Sequence, residues 1–213
     1  AKDAAVRESW LAPIRAGNEL KAGGVQLASG RVGFGFQADG RNHINRPASA
    51  DLEPKQWTLQ TWVYVDEFGK EGDARRWLVA KNDNEWAEGH YALLLDGKHP
   101  MAYLNIGGGP ERVVSLRATK TIQRREWHQL TATYDGKLFC LFVDGAPAGQ
   151  LEVGKSRVAG SGRFSVGQRP DGYVHFKGRL DEVILSDEVW TAERVNEAFK
   201  SPERVRDWPA LLR

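Results

Sequence analysis

The stretch from Trp127 to Gly145, WHQLTATYDGKLFCLFVDG, constrains the fold more than any other. Leu130, Ala132 and Tyr134 alternate with Gln129, Thr131 and Thr133, the period of a half-buried strand. Asp135-Gly136 follows, a dipeptide that tolerates the positive φ of a two-residue hairpin turn. Leu138 to Val143 make a mostly apolar return strand, and Asp144-Gly145 turns the chain again. Two Asp-Gly turns around one short strand predict antiparallel β structure.

The same punctuation runs along the chain. Trp57 to Val65 reads as a strand with Leu59, Thr61, Val63 and Val65 on one face and Thr58, Gln60, Trp62 and Tyr64 on the other. Large groups on both faces suit an inner strand whose far side lines a groove or meets a loop. Further strands are expected at Val25 to Leu27, Val32 to Phe36, Trp77 to Lys81, Tyr91 to Leu95, Met101 to Ile106, Val113 to Leu116, Gly149 to Val153 and Phe164 to Val166. A last strand pair is expected over Val174 to Leu185. Thr191 is placed to cap a helix with Val195, Ala198 and Phe199 on one face. Many short strands with a turn signal every eight to twelve residues predict a two-sheet sandwich. No repeat of 20 to 50 residues points to a solenoid or propeller.

Four segments carry a resemblance to a known family. The hairpin just described follows its "W-H-x-L-x-A-T-Y-D-G-K-L-x-L-x-V-D-G" pattern. Phe36-Gln37-Ala38-Asp39-Gly40 with Arg41 to Arg46, then Trp57-Thr58-Leu59-Gln60-Thr61-Trp62-Val63, then Gly178-Arg179-Leu180-Asp181-Glu182-Val183-Ile184-Leu185 occur in the same order and spacing. The chain thus resembles laminin-G-like domains of the concanavalin A-like lectin/glucanase superfamily over about residues 24 to 200. The resemblance implies an all-β, concanavalin A-like jelly-roll sandwich of two antiparallel sheets with a short C-terminal helix. Residues 1–23 then form a lead-in, in which the spacing of Val6, Trp10, Leu11 and Ile14 predicts a short helix or an irregular segment over Asp3 to Ile14, and residues 201–213 a tail or linker. The family usually occurs as a module of large secreted or surface proteins, so an extracytoplasmic location and fusion to other domains are expected.

Charge narrows the partners. Basic and acidic residues are interspersed and the net charge is +2, with no basic stripe for nucleic acid. No stretch approaches eighteen apolar residues, so no membrane span is expected. No charged start with an apolar core stands at Ala1, as a signal peptide would require. The single cysteine, Cys140, lies inside a strand and reads as a small buried hydrophobe.

The superfamily includes lectins, glycosidases, lyases and adhesion modules, so the fold leaves the chemistry open. Its glycosidases carry an E-x-D-x-x-E strand, and a retaining enzyme needs two carboxyls roughly 5 Å apart. Asp181 and Glu182 are adjacent, which in a strand sends them to opposite faces. The Arg-x-Glu-x-Arg and Gln-x-His strands of related lyases are missing too. These patterns lean against an enzyme, and a hydrolase or lyase with a non-standard site is the alternative; a structural spacer is the third.

Two sites remain as candidates. Sandwiches of this superfamily often hold one structural Ca²⁺, and the matching positions are Asp39, Gly40 and Asp181; the alternative is an Asp-Gly turn at Asp39 and a hydrogen-bonding carboxylate at Asp181. For a ligand, eight tryptophans supply aromatic planes on which a sugar ring stacks. Trp57, Trp62 and Trp127 are expected in the core, and Trp190 and Trp208 against the helix and tail. Trp77 and Trp86 instead flank a loop rich in Asn82, Asp83, Asn84 and Glu85, which supplies the polar half of a site. Tyr103, Arg112 and Tyr173 are further candidates for the same surface. The expected partner is a glycan or a protein.

Overall fold

The computed structural model describes residues 21–22, 26–72 and 75–210. The helix expected over Asp3 to Ile14 lies outside them. Among the described residues the chain forms fourteen strands, all paired antiparallel, in two seven-stranded sheets.

One sheet contains β5 (Trp57–Val65) at its centre. Beside it run β10 (Trp127–Tyr134), β11 (Leu138–Val143) and β12 (Ala146–Glu152) on one side, and β14 (Lys177–Ser186), β3 (Phe34–Asp39) and β2 (Gln26–Ser29) on the other. The second sheet has the order β1 (Lys21–Ala22), β4 (Ile44–Arg46), β13 (Phe164–Val166), β6 (Arg76–Lys81), β7 (Tyr91–Asp96), β8 (His99–Asn105) and β9 (Val113–Arg117). One helix, α1 (Ala192–Lys200), follows β14. The Thr191 hydroxyl accepts the Arg194 N–H at 3.3 Å and so satisfies one of the free donors of its first turn.

The core lies between the sheets. Leu59, Val63 and Val65 of β5 and Leu130, Ala132 and Tyr134 of β10 face Tyr91, Leu93 and Leu95 of β7 and Ala102 and Leu104 of β8. Trp57 centres it, its ring 5.0 Å from Tyr91 and 6.0 Å from Tyr134. The alternation expected for β5 is therefore the one observed. β7 is apolar on both faces because Ala92 and Leu94 enter a second cluster on the far side of its sheet.

The two Asp-Gly turns differ. Asp144-Gly145 is a two-residue turn closing the pair Val143–Ala146, with φ +52° and +74°. Asp135-Gly136 is not, because its strands separate one pair earlier, at Tyr134–Phe139. The Asp135 carboxylate accepts the N–H groups of Lys137 and Leu138 at 2.8 and 2.7 Å, which widens the turn by capping it from the side chain. The strand pair expected over Val174 to Leu185 is one strand, β14. It bulges between Asp181 and Ile184, where Glu182 takes φ +46°.

The outer face of the β5 sheet is covered. Phe199 of α1 stacks on Trp62 at 5.6 Å and 15°. Phe142, Ile184, Trp190, Val195, Ala198 and Val205 form one buried cluster there, and Trp208 meets Trp190 edge-on at 5.0 Å. Pro202–Asp207 winds as a 3-10 helix that delivers Val205 into this cluster. Gly145 lies beneath α1: a Cβ at that position would stand 2.8 Å from the Phe199 Cβ, so the turn needs glycine for room as well as for φ.

Candidate functional site

The outer face of the other sheet is organised differently. Trp77 of β6, Ala92 and Leu94 of β7, and Met101 and Tyr103 of β8 form an apolar floor, with Val174 packed on it. Trp77 meets Tyr103 edge-on at 5.7 Å, and both rings are buried. Over this floor come two loops, residues 82–90 after β6 and 167–176 after β13.

Arg169 joins them. Its Nη1 donates to Glu85 Oε2 at 2.6 Å, while Nε and Nη2 donate to the two Asp171 oxygens at 2.8 and 2.7 Å. The guanidinium carbon lies 5.4 Å from the Trp77 ring centroid and 4.4 Å from that of Tyr173. Asp171 N–H also donates to the Asp83 carbonyl at 3.4 Å. Burial works to raise the Asp171 pKa, but Arg169 and the Tyr173 N–H outweigh it and hold the carboxyl below its usual range. Asp171 is thus kept as an anion for ion pairing, the state opposite to that of a general acid.

Two aromatic rings project from these loops. Trp86 is 58% exposed and Tyr173 is 50% exposed. Their backbones are held: Trp86 N–H donates to Asn84 Oδ1 at 2.9 Å, the Trp86 carbonyl accepts Gly109 N–H at 2.8 Å, and Tyr173 N–H donates to Asp171 Oδ1 at 3.1 Å. A free ring on a fixed backbone is a low-entropy contact surface.

A buried ion cluster anchors the first loop from below. Glu53 accepts Lys81 Nζ at 2.6 Å and pairs with the Arg157 guanidinium. Lys81 also donates to Asn82 Oδ1 at 2.7 Å and to the Gly162 carbonyl at 2.5 Å. Burial lowers the Lys81 pKa, with Glu53 opposing that shift. Asn82, at φ +66°, spends its side chain here: Nδ2 donates to Glu53 Oε1 and to the Gly89 carbonyl, both at 3.0 Å, and Oδ1 accepts Gly162 N–H at 2.8 Å. His90 Nδ1 donates to the Asn82 carbonyl at 2.8 Å, and burial lowers its pKa to about 4, so the ring is neutral.

The loop residues picked from the sequence therefore divide. Trp77 and Tyr103 are the floor, Asn82 is an internal pin and Asn84 fixes the Trp86 backbone. Trp86 and Asp83 face solvent, and Tyr173 joins them from the second loop. Glu53, Lys81 and Arg157 carry no sequence signal because the Glu53 ion pairs span 28 and 104 positions, and the same holds for the Arg169–Glu85 pair, 84 positions apart. Arg169 had one local signal, its place four residues before Tyr173 in a charged turn.

Asp39, Gly40 and Asp181 are not brought together. Register sets Asp39 opposite Lys177 and Phe36 opposite Leu180, so Asp39 and Asp181 stand roughly 13 Å apart at about 3.3 Å per residue. Asp39 Oδ1 accepts the N–H groups of Arg41 and Asn42, both at 2.9 Å, across the turn made by Gly40 at φ +88°. Asp181 is fully buried; its oxygens accept Val32 N–H at 2.8 Å and Glu182 N–H at 2.9 Å. Donors aimed at a carboxylate are the reverse of the oxygen cage that Ca²⁺ needs. The residues around Asp181 do not fit that ion, and among the described residues no three of His, Cys, Asp and Glu gather as a metal set. Burial raises the Asp181 pKa to about 7 against the pull of the two N–H groups.

The two antiparallel sheets form a jelly-roll sandwich with α1 packed on one outer face and exposed aromatics on loops over the other. The chain belongs to the concanavalin A-like lectin/glucanase superfamily, whose laminin-G-type family model matches residues 38–196. No curated protein matches it by sequence. Among solved structures it is similar to domain 4 of AbnA, a GH43 extracellular arabinanase from Geobacillus stearothermophilus, in complex with arabinotriose. That match has 17% identity and a TM-score of 0.67, covering 82% of this chain and 81% of that one. The binding domain of botulinum neurotoxin DC in complex with SialylT matches with 9% identity and a TM-score of 0.64 over 87% of this chain and 47% of that one. The SAP-like pentraxin of Limulus polyphemus matches with 13% identity and a TM-score of 0.56 over 82% and 80%. The chain thus spans about half the length of the toxin binding domain. At these identities the likeness shows the fold alone. Among the described residues no helix is long and apolar enough to cross a membrane.

Proposed function

We propose that this chain is a non-catalytic, glycan-binding module of a larger extracytoplasmic protein, and that it holds its ligand at the rim formed by residues 82–90 and 169–173. One observation carries this: the two exposed aromatic rings of the described residues, Trp86 and Tyr173, sit on two loops clamped together by Arg169, Glu85 and Asp171. A sugar ring stacks its C–H face on such a plane, and neighbouring carboxylates accept its hydroxyls. Support comes from the arabinotriose complex of the AbnA domain, whose chain is matched over most of its length. The toxin neighbours, also described as binding domains, favour the same class of role and an extracellular setting.

Calorimetric titration against arabinotriose and a panel of plant and microbial oligosaccharides tests the proposal. At least one saccharide binds, and Trp86→Ala and Tyr173→Ala each weaken it about tenfold or more, within the 1–3 kcal/mol expected of a stacked ring. Unchanged affinity in both variants, or no binding at millimolar saccharide, overturns it.

A further inference from the structure

We infer that the rim selects uncharged saccharide chains and rejects acidic ones, an inference that rests on the glycan-binding role proposed above. Recognition of a uronate or sulfate calls for a guanidinium or ammonium with donors to spare. Arg169 is the cation placed between the clamped loops, and three of its five N–H donors and its charge are committed to two carboxylates. Its Nε and Nη2 are taken by Asp171 and its Nη1 by Glu85. Its guanidinium carbon lies over the Trp77 and Tyr173 rings. An incoming anion would compete with the Asp171 and Glu85 carboxylates for it.

The charges around Trp86 point the same way. Asp83, Glu85 and Glu88 lie within three positions of it, and no cation does. Asp83 and Glu88 are exposed. Across the adjoining loop, Glu111 stands 3.8 Å from Arg112, so that exposed cation has an anion beside it. Arg75 lies over Tyr103, 5.3 Å from its ring centroid, and the Arg163 carbonyl accepts the Asn82 N–H. A ligand stacked on Trp86 therefore meets acceptors, which suit hydroxyl groups, and a field that repels carboxylates. Lys81 adds no free charge, since Glu53 neutralises it below the loop.

The test compares neutral pentose and hexose hexasaccharides with galacturonate hexasaccharides by calorimetry at low ionic strength, on the full chain and on Asp83→Asn/Glu88→Gln. Both positions are exposed, so the double variant folds as the parent does, and circular dichroism checks this. The wild type binds its best neutral chain about tenfold tighter than any galacturonate chain, in line with like-charge juxtaposition. The gap shrinks at 0.5 M salt and in the double variant, in each case because galacturonate affinity rises. Galacturonate binding as tight as neutral binding, or a preference that neither salt nor the double variant reduces, overturns the selectivity and leaves the glycan-binding role standing. Failure of every saccharide to bind overturns both.

Discussion

The two outer faces of the sandwich are built from the same material and finished in opposite ways. Each carries a tryptophan-containing apolar cluster, Trp190 with Phe142 and Ile184 on one sheet and Trp77 with Tyr103 on the other. On the first, α1 and the 3-10 turn that follows lay Phe199, Val195, Val205 and Trp208 over the cluster and close it. On the second, two loops cover the cluster with polar and charged groups and leave two rings in solvent. An apolar stripe needs an apolar cover to become core; a cover of Arg169, Glu85 and Asp171 leaves it the floor of the proposed binding surface.

This contrast is sharpened first at the closed face. Trp190→Ala removes a ring that is 2% exposed and opens a cavity between β14 and the helix. The expected loss is about 3–5 kcal/mol, read by urea unfolding, with saccharide affinity per folded molecule unchanged. A coupled loss of affinity would show that the two faces are not independent.

At the open face the largest effect comes from below. Glu53→Gln leaves Lys81 and Arg157, whose side chains are 0% and 1% exposed, without their carboxylate. Breaking a buried pair costs about 3 kcal/mol. Because Asn82 and Gly89 hang on the same cluster, this variant is expected to lose saccharide affinity as well, measured by titration below its unfolding midpoint. Stability lost with affinity intact would separate the anchor from the site.

Asp181 gives a smaller, pH-dependent effect on the closed side, where it pairs with Trp62 across β5 and β14. Its folded pKa of about 7 lies above the ordinary 3.8. Between those values the folded chain holds a proton that the unfolded chain has released. The Asp181 contribution to stability is therefore fully present below about pH 4 and is lost as pH rises toward about 7. Melting temperature against pH reads this slope, and Asp181→Asn flattens it. A slope that survives the substitution assigns it to another group. Addition of Ca²⁺ after EDTA is expected to leave the melting temperature in place, and a rise of several degrees abolished by Asp181→Asn would contradict the N–H cage described here.

The smallest effect on stability is Trp86→Ala. An exposed side chain outside any core changes stability by less than about 0.5 kcal/mol, measured by urea unfolding. The same substitution has the largest effect expected on binding.

Most of the fold was legible because it rests on local signals. The alternation in β5, the Asp144-Gly145 turn and Thr191 as a cap each depend on a few neighbouring residues. The two outer faces were less so. Trp62 and Trp77 look alike in sequence, and which is sealed depends on what a segment more than ninety residues away lays over it. The site was legible in part: Trp86 and Tyr173 stood out as aromatics beside polar turns, while Trp77, Asn82 and Tyr103 stood out for chemistry that the fold spends internally. The clamp of Arg169 on Glu85 spans 84 positions and has no periodic trace. Asp39 and Asp181 looked like one site because sequence motifs carry no register, and strand pairing put them at separate ends.

The most direct test of glycan recognition at this rim is an NMR titration of the ¹⁵N-labelled chain with its best-binding neutral oligosaccharide, following the indole N–H resonances. The Trp86 indole and the Tyr173 amide are expected to shift on saturation, with the Trp62 and Trp190 indoles unmoved beneath α1. Shifts confined to Trp127 and the Tyr64 amide on the other sheet, with Trp86 silent, would contradict the account.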